Sequence, residues 1–166
     1  MTARYRYRSA VLAGDYVRAG IGAAMCVAPL LVVATNTFTW LLAAVGGLFV
    51  MFGVRTAIRQ TTEYTLDDNG LDARGPMGTR VDWATMRGLR LAYYATRRDR
   101  QGGWMQMNLH GAAGTIRIDS GLDGFDEIAR AAARAVAEHG LPVSDATRAN
   151  FAAMDVPLPT VQEPTP

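Results

Sequence analysis

The 166-residue sequence contains no lysine; all 17 of its basic residues are arginine. That absence removes a phosphate-loop lysine, a Schiff-base lysine and a Ser–Lys nucleophile pair. A single cysteine, Cys26, excludes an internal disulfide, and with only two histidines a structural zinc site lacks ligands. Acidic residues number 15, so the net charge of +2 says little about partners, and no nucleic-acid partner is expected. Where charge is missing says more. Residues 19–54 carry no Asp, Glu, Arg or His, which leaves a proton or ion pathway without a carrier. The remainder has the composition of an ordinary soluble domain. The length suits one domain, here with an apolar block inserted near its front.

That block divides at Thr35-Asn36-Thr37 into AGIGAAMCVAPLLVVA (19–34) and FTWLLAAVGGLFVMFGV (38–54). A membrane-crossing helix needs roughly 17–25 apolar residues, and Tyr16 and Val17 lengthen the first segment. A buried hairpin in a soluble core is the competing reading, but such a hairpin shows a solvated face and neither segment has one. A cleaved signal peptide fits poorly, because no small-x-small site ends the first segment and a second follows at once. The expectation is a two-span transmembrane hairpin over 19–54, preceded by a cytoplasmic segment, 1–18. Arg4, Arg6, Arg8 and Arg18 flank the first span, Arg55 and Arg59 the second, and the turn has no charge. The excess of basic residues on the terminal side places both termini in the cytoplasm. Ala24-x-x-x-Ala28 and Ala43-x-x-x-Gly47 offer small residues for close helix approach, either between the two spans or in a homo-oligomer. Pro29 is expected to kink the first helix, and Cys26 to pack within it.

Beyond Arg59 the pattern shortens to alternating segments separated by turns. EYTL (63–66), the turn DDNG (67–70), LDAR (71–74), the turn GPMG (75–78) and TRVDW (79–83) follow in order. Leu89, Leu91 and Tyr93 alternate with polar or small neighbours, as do Met105, Met107 and Leu109, and Ile116 with Ile118 forms the next inward pair. About six antiparallel strands result. A helix follows, with Asp123 as the expected N-cap and Leu122, Phe125, Ile128, Ala129, Ala132 and Val136 on one face. His139 and Gly140 end it. Five of the seven prolines lie in 141–166. There Ser144 is positioned to start a short helix docked through Phe151 and Met154, and the remainder is expected to be disordered.

The order of strand, DNG turn, Gly-containing turn, V-D-W-A-T-M-R-G-L and closing helix resembles the bacterial pleckstrin-homology-like (PH-like) domain. The residues that carry the likeness are Tyr64, Leu66, Gly70, Leu71, Val81, Trp83, Met86, Leu89 and the helix from Leu122. The opening YRYRSAVLAGDY (5–16) is similar to the strand-then-acidic lead-in of some members, and members often carry a two-helix membrane hairpin before the domain. The resemblance implies an α+β protein: a transmembrane hairpin, then an antiparallel PH-like barrel or sandwich over 60–140 closed by the C-terminal helix. It implies location in the bacterial inner membrane, a binding or scaffold fold, and no inherited active site. Trp83 is the position that anchors the domain in that family.

No chemistry assembles elsewhere in the sequence. His110 and His139 have no Ser or Cys nucleophile directed at them. Asp67, Asp68 and Asp72 surround a turn, where Asp is favoured for local hydrogen bonding and only secondarily as a cation site. Arg97, Arg98 and Arg100 followed by Trp104 form the most suggestive cluster; such a loop tip contacts a partner or anionic phospholipid headgroups. Lipid-binding members of the resembled family place their phosphate contacts on the first hairpin, which here is the acidic DDNG. The reading is a non-enzymatic integral membrane protein, without cofactor or metal, displaying a cytoplasmic PH-like module that binds a protein partner in assembly or regulation of a membrane complex. The alternative is a sensor of anionic headgroups through Arg97–Arg100.

Overall fold

The computed structural model of the chain describes residues 2–32, 36–95, 103–156 and 158. They form two compact units: residues 7–62, which are helical, and an α+β unit built from residues up to Arg6 together with those from Glu63 onward.

In the helical unit, α1 (Ser9–Leu30) and α2 (Thr37–Thr61) have 22 and 25 residues, and so extend past the uncharged run at its outer ends. At about 1.5 Å per residue each exceeds the roughly 30 Å of a hydrocarbon core. α2 starts with a reciprocal cap: Asn36 Oδ1 accepts from Thr39 N (3.1 Å), and Thr39 Oγ1 accepts from Asn36 N (2.7 Å). The helices touch through small residues. A Cβ on Gly22 would collide with the Phe49 ring, Gly46 lies against Cys26, and Gly53 lies against Ala19. Ala24, Ala28, Ala43 and Gly47 are exposed, so the two spaced small-residue motifs lie outside the contact and the adjoining stripe makes it. The outer surface is apolar: Leu31, Val32 and Trp40 are 81%, 86% and 70% exposed. Within the apolar stretches of α1 and α2, 17% and 11% of residues are buried. A core helix of a soluble protein is mostly buried; these two are long and apolar enough to cross a membrane.

The α+β unit holds two antiparallel sheets. One has the order β1 (Ala3–Tyr5), β2 (Glu63–Asp67), β3 (Gly70–Arg74), β4 (Thr79–Asp82); the other has β5 (Gly88–Tyr94), β6 (Trp104–His110), β7 (Thr115–Asp119). The described strands thus number seven, rather than about six, and of the expected barrel or sandwich they form two separate sheets and not a closed barrel. The added strand is β1, which pairs Tyr5 with Tyr64 and Ala3 with Leu66. Glu63 receives Arg6 at 3.1 Å and Arg4 at 3.7 Å. The helical pair therefore interrupts the first sheet, between β1 and β2 along the chain.

Leu71 and Val81 of the first sheet are buried, and in the second Leu91, Met107, Leu109, Ile116 and Ile118 are buried as their alternation predicts, with Met105 half-buried. α3 (Phe125–His139) buries Phe125, Ile128, Ala129, Ala132 and Val136 and packs against the short 3-10 turn Trp83–Thr85. Its N-cap is Gly124, not Asp123. Gly124 has φ +73°, and the Tyr5 ring fills the place where a Cβ would stand, so both backbone and space require glycine. Asp123 instead donates its amide to the Arg6 carbonyl (3.4 Å). Burial, with Glu127 nearby, raises the pKa of Tyr5.

α4 (Asp145–Ala152) is capped by Ser144, whose Oγ accepts from Thr147 N (3.3 Å). It lies along the outer edge of β5. There Leu91 N donates to Thr147 Oγ1 (3.4 Å), and Asn150 Nδ2 donates to Leu91 O (2.8 Å). Phe151 beneath is fully buried, whereas Met154 is half-buried. Two side chains thus supply what a neighbouring strand would supply, and an edge that invites pairing is closed.

Candidate functional site

The first hairpin shows how an acidic turn becomes a rigid corner. Asp67 Oδ1 accepts from Asn69 N (2.9 Å) and Gly70 N (2.8 Å), which closes the turn. Arg80 on β4 reaches back with Nη1 to Asp67 Oδ2 (3.0 Å), and its Nε donates to Asp82 Oδ1 (2.5 Å). The guanidinium hydrogen bonds hold the Asp67 carboxyl below its ordinary range, and both carboxylates raise the pKa of Arg80. Asp72 pairs with Arg74 at 2.8 Å. The acidic turn is therefore occupied by arginine and amides. Among the described residues no group of three His, Cys, Asp or Glu is arranged to hold a metal ion.

Trp83 follows this corner. Its amide donates to the Asn69 carbonyl (2.8 Å), and the residue is 8% exposed. The exposed remnant of Trp83 contributes to a groove of about 420 Å³, lined also by Leu66, Asp67, Asp68, Arg134 and Glu138. Its lining joins the apolar Leu66, Trp83, Ala131 and Ala135 to charged groups at Asp68, Arg134 and Glu138, the Asp67 carboxylate being committed to Arg80. Such a lining suits a partner side chain that is apolar along its stem and basic at its end. The groove joins the end of β2 to the second half of α3, residues seventy positions apart and invisible to local motif reading.

At the other end of the unit the second sheet outruns its core. Leu91 and Met107 are buried partners, but Tyr93, Tyr94 and Trp104 are 53%, 41% and 44% exposed. Alternation placed Tyr93 on the inward face. The structure exposes it, because the hairpin continues past the last residues that have anything packed opposite them. Tyr94 faces Trp104 across the strands, with ring centroids 5.6 Å apart and planes at 22°. Trp104 is thus exposed, and Tyr94, its stacking partner, was not singled out by the sequence. Arg97, Arg98 and Arg100 lie outside the described residues.

The remaining arginines have varied settings. Arg18 pairs with Asp15 at 3.3 Å, and Arg59 lies 4.0 Å from Asp15 and over the Tyr7 ring at 4.4 Å. With Tyr16 Oη donating to Gln60 Oε1 (2.6 Å), they form a polar layer across one end of the helical pair. Arg8 and Arg55 are exposed. His110 Nδ1 lies 3.0 Å from Thr115 Oγ1 on an exposed strand end, and His139 is in the last turn of α3. Comparison with protein-family models, with curated proteins and with solved structures gave no match to this chain.

Proposed function

We propose that this protein is a membrane-anchored, non-enzymatic adaptor whose α+β unit binds a protein partner in the assembly or regulation of a membrane complex. The observation that supports it is the splice. An apolar helical pair interrupts β1 and β2 of a folded unit, which ties that unit to a bilayer by two connections. Sheets of four and three strands with a closing helix agree with the PH-like reading, a fold that works by presenting surfaces. The arginines beside the outer helix ends favour two spans with cytoplasmic termini, and the PH-like resemblance supports the bacterial inner membrane. The groove beside Trp83 is the partner-binding surface of this proposal, with Glu138 at its rim facing a basic side chain.

A photo-crosslinking residue at Glu138 of the full chain in cells tests the reading. A discrete adduct is expected, and it is lost when Asp68→Arg is added. Absence of any adduct, or one indifferent to Asp68→Arg, overturns the groove as the binding surface. Reporters test the topology: one fused after Pro166 should be active only if it is of a kind that works in the cytoplasm, and one at Asn36 only if it is of a kind that works outside. The opposite pattern removes a cytoplasmic partner.

A further inference from the structure

The two sheets treat their outer arginines differently. On the first, every described arginine stands on a carboxylate: Arg4 and Arg6 on Glu63, Arg74 on Asp72, and Arg80 on Asp67 and Asp82. The second sheet buries Leu91, Met107, Leu109, Ile116 and Ile118 on one face, so their neighbours along each strand line the other. Register sets Arg90, Asn108 and Arg117 there in one row across β5, β6 and β7. Both arginines are exposed, and neither is in an ion pair among the described residues. The carboxylate of that face, Asp119, accepts from the Gly121 amide (3.1 Å).

Asn108 is oriented by its neighbours. Its Oδ1 accepts from Arg117 Nε (3.0 Å) and Gln106 Nε2 (3.3 Å). A guanidinium Nε only donates, so the Asn108 carbonyl must be on that side, and the two protons of Nδ2 have no acceptor among the described residues. Strands lie about 4.8 Å apart, which separates the Cα atoms of Arg90 and Arg117 by roughly 10 Å, within reach of guanidinia that close over the amide between them. The row thus offers donors with no acceptor to meet them. Four residues along β6, about 13 Å from Asn108, the exposed Trp104 stacks on Tyr94 on the same face.

We propose that this face binds an acidic segment of a partner protein in extended form. An Asp or Glu carboxylate of the segment sits between Arg90, Arg117 and Asn108 Nδ2, and an apolar side chain four residues away lies against the Tyr94–Trp104 pair. Charge complementarity identifies the occupant. A carboxylate matches the fork of a guanidinium, and two guanidinia with one amide satisfy its lone pairs. A nucleic acid needs a basic field, whereas the α+β unit as a whole has thirteen arginines against fourteen Asp and Glu. The inference goes beyond the groove beside Trp83 and does not rest on it. The groove takes a basic side chain and this face an acidic one, so one unit can hold two partners of opposite charge.

The purified full chain in detergent, probed with an array of capped nonapeptides, tests it. One position of each peptide is glutamate, glutamine, phosphoserine or arginine, and the position four residues on is leucine or serine. The glutamate–leucine peptides are expected to bind, and their glutamine counterparts about tenfold more weakly or less, as loss of charge-assisted hydrogen bonds requires. Serine in place of leucine weakens binding further. Arg90→Gln and Arg117→Gln each reduce binding of the glutamate peptides about tenfold, and Trp104→Ser reduces it several-fold. Arg74→Gln, on the first sheet, leaves it unchanged. No binding across the array overturns the proposal, as does equal binding of glutamate and glutamine peptides, or indifference to Arg90→Gln and Arg117→Gln. Tighter binding of the phosphoserine peptides reassigns the seat to a phosphoryl group, and displacement of the glutamate peptide by single-stranded oligothymidylate reassigns the face to a nucleic acid; either result also overturns it. None of these outcomes affects the Glu138 cross-link, so the two readings fail separately.

Discussion

Thr147→Val removes one atom's function and almost no volume. Leu91 and Thr147 are both about 1% exposed, so the Leu91 amide has no access to water once Thr147 Oγ1 is gone. An orphaned buried N–H costs about 1–3 kcal/mol. The bond is 3.4 Å long and its native contribution is correspondingly weak, which points to the lower half of that range. For a domain of this size, about 1–2 kcal/mol lowers Tm by roughly 5–15 °C. Valine preserves the side-chain volume, so no cavity confuses the comparison; Ser144 keeps its bond to the backbone of residue 147 but loses the one between its Oγ and Thr147 Oγ1 (3.0 Å), so the amide exchange of Leu91 and not Tm alone isolates the edge contact. Thermal unfolding of the detergent-solubilised chain gives the stability. Exchange of the Leu91 amide gives the location, and it should accelerate ahead of its neighbours on β5. Combining the change with Asn150→Leu frees both edge groups and should promote self-association of the unit. An unaltered Leu91 exchange rate in Thr147→Val would refute the claim that α4 closes the β5 edge.

Trp83→Ala should cost about 3–5 kcal/mol, much of the 5–15 kcal/mol typical of a domain. Cooperative unfolding of the α+β unit should be lost or shifted far down; an unchanged melting point would make Trp83 a surface residue. Gly22→Leu should break the helical pair because its Cβ meets Phe49, whereas Gly47→Leu, with open space around it, should be tolerated. Yields of folded protein extracted from membranes compare the two, and equal behaviour would contradict the packing. Asp67→Asn should lower Tm at pH 7. The Asp67 pKa is depressed by Arg80, so its stabilisation is full above the unfolded value of about 3.9 and is lost as pH falls through the lower folded value. The gap in Tm between parent and variant should close in acid, and a gap that persists there would assign the effect to something other than the carboxylate charge.

Local patterning reached those parts of the fold that are locally determined. Leu89, Leu91, Met107, Leu109, Ile116 and Ile118 are buried as a period of two requires, and Ser144 caps a helix that buries Phe151. Three features lay beyond it. β1 is short and arginine-bearing, and its partner begins at Glu63 on the far side of two helices, so no window contains the pair. Asp123 has the right chemistry for an N-cap, but the cap is chosen by the Tyr5 ring standing over Gly124, a neighbour supplied by the other end of the chain. Tyr93 shows that alternation assigns a face without saying where the opposing layer stops. The candidate surfaces follow the same division. Trp104 is visible as a tryptophan beside arginines, whereas its pairing with Tyr94 depends on strand register, and the Trp83 groove depends on where α3 comes to rest.

The splice of the helical pair into the first sheet has a consequence for biogenesis. During synthesis residues 2–6 emerge ahead of both helices and find no strand to join until Glu63 and its successors have been made. Closing so long a loop slows the pairing more than it weakens it. With the helices across a bilayer, β1 reaches β2 only when both ends of the pair lie on one side. A chain that inserted a single helix would leave β2 with a bare edge and Glu63 without Arg4 and Arg6, a form exposed to aggregation and proteolysis. For helices that span a bilayer, completion of the four-stranded sheet would act as a proofreading step on topology, with a misinserted chain marked for removal by its own unpaired strand.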